Sequence, residues 1–176
     1  MHIGRRGISE KEFIERMEKQ KQILYRIAYG YLHSETLAVD AVDEAVYQGF
    51  LHRKQVKQPE YFETWLTRIL IHECIRVLSK GKRLAPMEQS PERSVPSGEE
   101  ALLLYMAVDH LEESCKKVIL LRYFGGYTIA ETAKILEMPA GTVATRTKQA
   151  LEALRAELGD GKRAEVSAVK GGAYHD

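Results

Sequence analysis

The sequence has only two cysteines and one tryptophan in 176 residues, and its charges nearly cancel: 26 basic against 25 acidic side chains, net +1. Cys74 and Cys115, 41 positions apart, make neither a disulfide scaffold nor a zinc cluster. They read as small buried apolar groups in a reducing interior. No apolar run reaches the roughly 18 residues a membrane-spanning helix needs. The opening "MHIGRRGISEKEF" is basic but lacks the apolar stretch of a secretory leader. A soluble, cytoplasmic protein is expected. The missing basic surplus argues against an unaided DNA binder, because phosphate neutralisation supplies most of such a protein's affinity. "HECIR" starts like a metalloprotease helix, but Arg76 stands where the second histidine belongs. No phosphate loop, nucleophile elbow or paired-carboxylate site stands out. No catalytic residue, metal, cofactor or small-molecule substrate is expected.

What is present is helical patterning in two blocks. Apolar residues make up 44% of the chain, enough for a packed core. Three of the five prolines, Pro86, Pro91 and Pro96, fall in one stretch without helical period. That predicts an all-α protein of two small helical domains, residues 8–83 and 100–158. A flexible linker at 84–99 joins them, and a Gly-rich mobile tail follows at 159–176. Residues 1–83 carry 15 basic and 11 acidic side chains, net +4, and the rest carry net −3.

In the first block, Ser9 to Glu12 fits a capping box opening a helix. Its inward face holds Phe13, Met17, Leu24, Ile27, Ala28 and Tyr31, with a polar gap at Gln20 and Lys21. A second helix over about 35–51 turns Ala38, Ala41, Val42, Ala45, Val46 and Gly49 inward. A third begins at Pro59, a favoured first helical residue. It buries Phe62, Leu66, Ile69, Leu70, Cys74, Val77 and Leu78. In the second block, helices over about 100–111 and 113–124 precede Gly125-Gly126, which closes the latter.

"YTIAETAKILEMPAGTVATRTKQAL" then reads as two helices with a deliberate break. A capping box at Thr128 and Glu131 opens the first, with Ile129, Ala130, Ala133 and Leu136 inward. Pro139 costs roughly 3 kcal/mol inside a helix, yet can open the next one. There Val143, Thr147, Ala150, Leu151, Leu154 and Leu158 face inward. Thr142, Ala144, Thr145, Arg146, Lys148 and Gln149 are left toward solvent. This is a helix-turn-helix pattern, whose second helix reads the major groove. A helical hairpin with a solvated face has the same spacing.

Two further faces stand out. Asp40, Asp43, Glu44 and Tyr47 share one side of the second helix, and like charges at that spacing cost roughly 0.2–0.5 kcal/mol. They suit a cationic partner, or simply offset the helix dipole. Tyr61, Phe62 and Trp65 lie beside Arg68, His72 and Arg76, a mixture suited to unpaired bases. Phe62 and Trp65 also sit near the apolar face, where a core role fits equally well.

Three stretches, "AVDAVDEAVYQGF", "YFETWLTRILIHECI" and "LLRYFGGYTIAETAKILEMPAGTVATR", resemble the extracytoplasmic-function (ECF) sigma factors of bacterial RNA polymerase. The likeness runs from about Phe13 to Leu158. It implies a first domain that docks on core RNA polymerase and binds the minus-ten element as single strand. It implies a second domain that reads the minus-35 element as duplex. Asp40, Asp43 and Glu44, with Tyr47 beside them, match the polymerase-facing helix. Phe62, Thr64, Trp65 and Arg68 match the strand-opening segment, with Tyr61, His72 and Arg76 around them. Arg146, with Thr142, Thr145, Lys148 and Gln149, matches the recognition helix, and Thr128 is grouped with these. An anti-sigma factor, often membrane-anchored, is the implied further partner.

This chain departs from the family at several positions. The family often has Gln at Asp43, Asn at His72, Asp at Arg76 and a basic residue at Ala144. Primary sigma factors have a second Trp where Leu66 stands. A dimeric helix-turn-helix regulator or a pure interaction adaptor accounts for one block each and leaves the other without a task.

Overall fold

The computed structural model describes residues 7–84 and 99–159. The expected linker, apart from its end residues, and the expected tail beyond Gly159 lie outside them, as does the basic segment before Gly7. Two compact units divide the chain, residues 1–93 and 94–176. Every regular element among the described residues is helical.

The first unit packs α1 (Glu10–Leu32), α2 (Glu35–His52) and α3 (Phe62–Leu84) against one another. Ser9 caps α1 by accepting from the Glu12 N–H at 3.2 Å. The other half of the expected box is replaced, since the Glu12 carboxylate takes Arg16 at 2.9 Å. Phe13 ties the three helices together, meeting Phe50 and Phe62 edge-on at centroid distances of 5.5 and 5.3 Å. On α2 the fully buried residues are small: Ala38, Ala41, Ala45 and Gly49. A Cβ at Gly49 would lie 2.8 Å from Leu66 Cδ1, so this helix sits close against its neighbours. Val42 and Val46, expected inside, flank that contact half-buried.

The third helix does not begin at Pro59. Turns of 3-10 helix at Arg53–Gln55 and Pro59–Tyr61 come first, and the Phe62 N–H is held by the Pro59 carbonyl. Along α3, Phe62, Leu66, Leu70, Ile71 and Cys74 are buried, while Ile69, Val77 and Leu78 are half-buried. The expected polar gap on α1 is also corrected. Lys21 is exposed, but Gln20 is only 3% exposed and bonds across to α3.

The second unit comprises α4 (Glu99–Asp109), α5 (Glu113–Ile119), α6 (Ile129–Leu136) and α7 (Ala140–Leu158). A wider π turn at Leu120–Phe124 extends α5. The expected single helix over 113–124 thus changes pitch at Leu120, where Leu120, Leu121 and Arg122 are buried in succession. A wider turn lets consecutive side chains enter the core together. Lys116, 7% exposed, meets Asp109 at 2.6 Å and fastens α5 to α4. Gly126 takes φ +74°, the left-handed backbone that releases the chain towards α6. Cys115, expected inside, is half-buried; Cys74 is buried as expected.

Candidate polymerase and nucleic-acid interfaces

On α2, Asp40, Asp43 and Tyr47 are exposed, Tyr47 to 56%. Glu44 is half-buried and accepts from Gln48 Nε2 at 2.9 Å. The face is therefore a real surface, acidic at one end and aromatic at the other. Leu51, 52% exposed, continues it four residues past Tyr47. The four-residue spacing from Tyr47 carries that signal in the sequence, where Leu51 also marks the expected helix end.

On α3, Trp65, Arg68, His72 and Arg76 are spaced by three, four and four residues and so share one side. They extend over about 16 Å at 1.5 Å per residue. Tyr61 is exposed to 41% on the turn before the helix. Thr64, Trp65 and Arg68 are half-buried and His72 is exposed. Trp65 leans on Phe62 at 6.0 Å, its ring inclined by 45°, and keeps part of its surface outside. Phe62 itself is 0% exposed and belongs to the core, the role its place near the apolar face allowed. Its place between Phe13 and Trp65 leaves it a supporting role. Arg76 is exposed beside a carboxylate of its own helix. Its guanidinium forks onto the Glu73 carboxylate through Nε, at 2.8 Å, and Nη2. The Glu73 hydrogen bond and charge raise its pKa further, with Glu44 of α2 adding to them. Lys54, Gln55, Lys57 and Gln58 stand exposed in the connection before Tyr61.

In the second unit the break expected at Pro139 is a tight corner. Leu136 ends α6, Glu137 takes a left-handed backbone (φ 53°), and the Met138 N–H returns to the Ala133 carbonyl at 3.0 Å. Pro139 is the residue before α7, extended at ψ 142°, and no side chain caps that helix start. Its first N–H groups are thus available to an anion. The capping box at Thr128 is complete: Oγ1 accepts from the Glu131 N–H (3.2 Å), and Glu131 Oε2 accepts from the Thr128 N–H (2.8 Å). The Thr128 hydroxyl also donates to Glu131 Oε2, which commits it to the cap.

The inward face of α6 differs from expectation. Thr132 and Ile135 are the buried residues; Ile129, Ala133 and Leu136 are half-buried and Ala130 is exposed. Packing against neighbouring helices sets the rotation of this short helix, which apolar content alone does not reveal. On α7, Val143, Thr147, Ala150 and Leu154 are buried. Thr145, Lys148 and Gln149 are exposed, and Thr142 and Arg146 are half-buried. The Thr145 hydroxyl donates to the Gly141 carbonyl at 3.0 Å, leaving its oxygen as an acceptor. Lys148 lies 4.0 Å from Glu152. Arg146 Nη1 rests 3.7 Å from Met138 Sδ in the corner. The Glu112 carboxyl is held below its usual range chiefly by hydrogen bonding from Ser114, with the Arg146 charge contributing. Neutral and cationic donors thus stand at the start of a helix, the chemistry that reads guanine and adenine edges.

Among the described residues no group of histidine, cysteine and carboxylate side chains is arranged to hold a metal ion. No helix there is long and apolar enough to cross a membrane.

Residues 17–84 match the family model for sigma-70 region 2, and residues 101–154 match that for sigma-70 region 4. The chain is 30% identical over 142 residues to RNA polymerase sigma factor SigV of Bacillus subtilis, covering 78% of this chain and 86% of that one. It is 26% identical over 167 residues to ECF RNA polymerase sigma factor SigW of the same organism, covering 84% and 89%. Its fold is that of the sigma factor RpoE solved with the anti-sigma factor NepR from Bartonella quintana. There the TM-score is 0.70 at 19% identity, over 84% of this chain and 97% of that one. CnrH, solved with the cytosolic domain of CnrY, gives 0.68 at 21% identity, over 85% and 89%.

Proposed function

The chain belongs to the ECF sigma factors, the non-catalytic promoter-recognition subunits of bacterial RNA polymerase, and from there we propose that it opens and selects the promoters of one particular regulon. In this reading residues 8–83 dock on the polymerase and hold the minus-ten element as single strand. Residues 100–158 read the minus-35 element as duplex, and 84–99 tether the two. Asp40, Asp43, Glu44 and Tyr47 face the polymerase.

The observation that carries strand opening is the side of α3 on which half-buried Trp65 and Arg68 adjoin exposed His72, with Tyr61 at its head. A flat ring anchored from behind by Phe62 can stack on an unpaired base, and nearby cations can hold the backbone. Thr64 borders that surface, while Arg76 contributes less because Glu73 already holds it. Thr142, Thr145, Arg146, Lys148 and Gln149 present the groove-reading groups, and the Thr128 cap braces the helix before them.

An anti-sigma protein is the further partner, by likeness to the sigma factor RpoE solved with the anti-sigma factor NepR. A subunit that acts with RNA polymerase on chromosomal promoters works in the cytoplasm. Permanganate footprinting of holoenzyme on a cognate promoter tests the reading. Reactive thymines should appear around the minus-ten element and fall roughly tenfold with Trp65→Ala, the loss of one stacked base at about 1.4 kcal/mol. Promoter-specific initiation without any such thymines would contradict it.

A further inference from the structure

Two side chains of α1, Arg16 and Gln20, reach across to the start of α3. Arg16 Nη1 donates to the Pro59 carbonyl at 2.7 Å and lies 3.6 Å from Glu63 Oε1. Its Nε and Nη2 hold Glu12 Oε1 at 3.1 and 2.9 Å, which fixes the guanidinium from behind. The guanidinium carbon stands 5.9 Å from the centre of the Phe62 ring. One turn further on, Gln20 Nε2 donates to the Glu63 carbonyl at 3.1 Å and to Thr67 Oγ1 at 2.9 Å. Gln20 and Thr67 are 3% and 0% exposed.

The points they grip are Pro59, Glu63 and Thr67. These alternate in sequence with Tyr61, Thr64, Trp65 and Arg68, the surface residues of the same segment. Apolar packing is non-directional and leaves a helix free to slide or turn slightly in its groove. Hydrogen bonds with fixed donors and acceptors set its register and rotation. We infer that Arg16 and Gln20 are positioning residues: they touch no nucleic acid, but lock the first turns of α3 so that Tyr61 and Trp65 meet the opened strand in one orientation. This rests on the strand-opening role of α3 proposed above.

The double variant Gln20→Leu/Thr67→Val separates positioning from stability. Replacing both partners of a buried hydrogen bond with apolar groups of similar shape leaves stability nearly unchanged. Three quantities are read: the thermal midpoint of the free chain, its affinity for core polymerase, and permanganate opening of duplex promoter by the holoenzyme. The first two should stay within twofold of wild type or within experimental scatter, while opening falls roughly tenfold, equivalent to about 1.4 kcal/mol. Arg16→Lys, which keeps the charge but loses the fork, should fall between wild type and Arg16→Ala in opening. Opening by the double variant equal to wild type overturns the inference, as does a loss matched by a fall in thermal midpoint. Wild-type holoenzyme that leaves the promoter closed overturns the strand-opening role itself, a separately visible result.

Discussion

Burial decides the chemistry of Cys74. Its thiol is pushed up from 9.0 to about 12, first by burial and then by the nearby Glu73 charge. The folded value is the higher one, so this contribution to stability is complete below the unfolded value. It is lost as pH rises from about 9 toward 12. Tyr25 and Tyr29 act in the same direction, each raised first by burial, with Glu35 adding to both. Chemical denaturation across this range should show falling stability, and Cys74→Ala should shrink that alkaline limb without abolishing it. A limb unchanged by the substitution would contradict the assignment. Thr132 offers a second test. Its side chain is 0% exposed and Oγ1 has no hydrogen-bond partner among the described residues. Thr132→Val should therefore raise stability by roughly 1 kcal/mol in urea denaturation. At Arg146, held beside Met138, substitution by Ala should cost roughly 1–3 kcal/mol of discrimination among minus-35 variants in run-off transcription. Equal losses on every promoter would mean the side chain meets only phosphate.

Among the elements, α2 separates two tasks by face. Its alanines and Gly49 pack closely inside, while Asp40 and Asp43 face solvent. Asp40→Lys with Glu44→Lys should weaken assembly with core polymerase at least tenfold in fluorescence anisotropy, with helical content unchanged by circular dichroism. Assembly at wild-type strength would leave the acidic row a solvated surface only. Much of this organisation was legible in the residues. Strong local chemistry marked the helix starts at Ser9 and Thr128 and the break at Pro139, because capping and a missing N–H act within a few positions. What sequence could not resolve was rotation. Thr132 is buried and Ala130 exposed because the helix turns to fit its neighbours, and Gln20 enters the core because Thr67 waits opposite. Phe62 and Arg76 show the same limit at the candidate site. An aromatic and a cation at helical spacing suggested one surface, but the ring faces Phe13 and the charge faces Glu73. Partners distant in sequence settle such choices.

For the whole molecule, the near balance of charge, 26 basic against 25 acidic residues, fits a subunit that does not hold DNA alone. We propose that core polymerase supplies most of the phosphate contacts and that this chain, built of two compact units, adds the sequence preference. The most direct measurement is the affinity of labelled promoter DNA for the purified chain at physiological salt, with and without core polymerase, by fluorescence anisotropy. The chain alone should bind weakly and with little preference, and adding core should yield tight binding that disappears when either promoter element is scrambled. Nanomolar promoter binding by the chain alone, or no gain on adding core, would contradict the account.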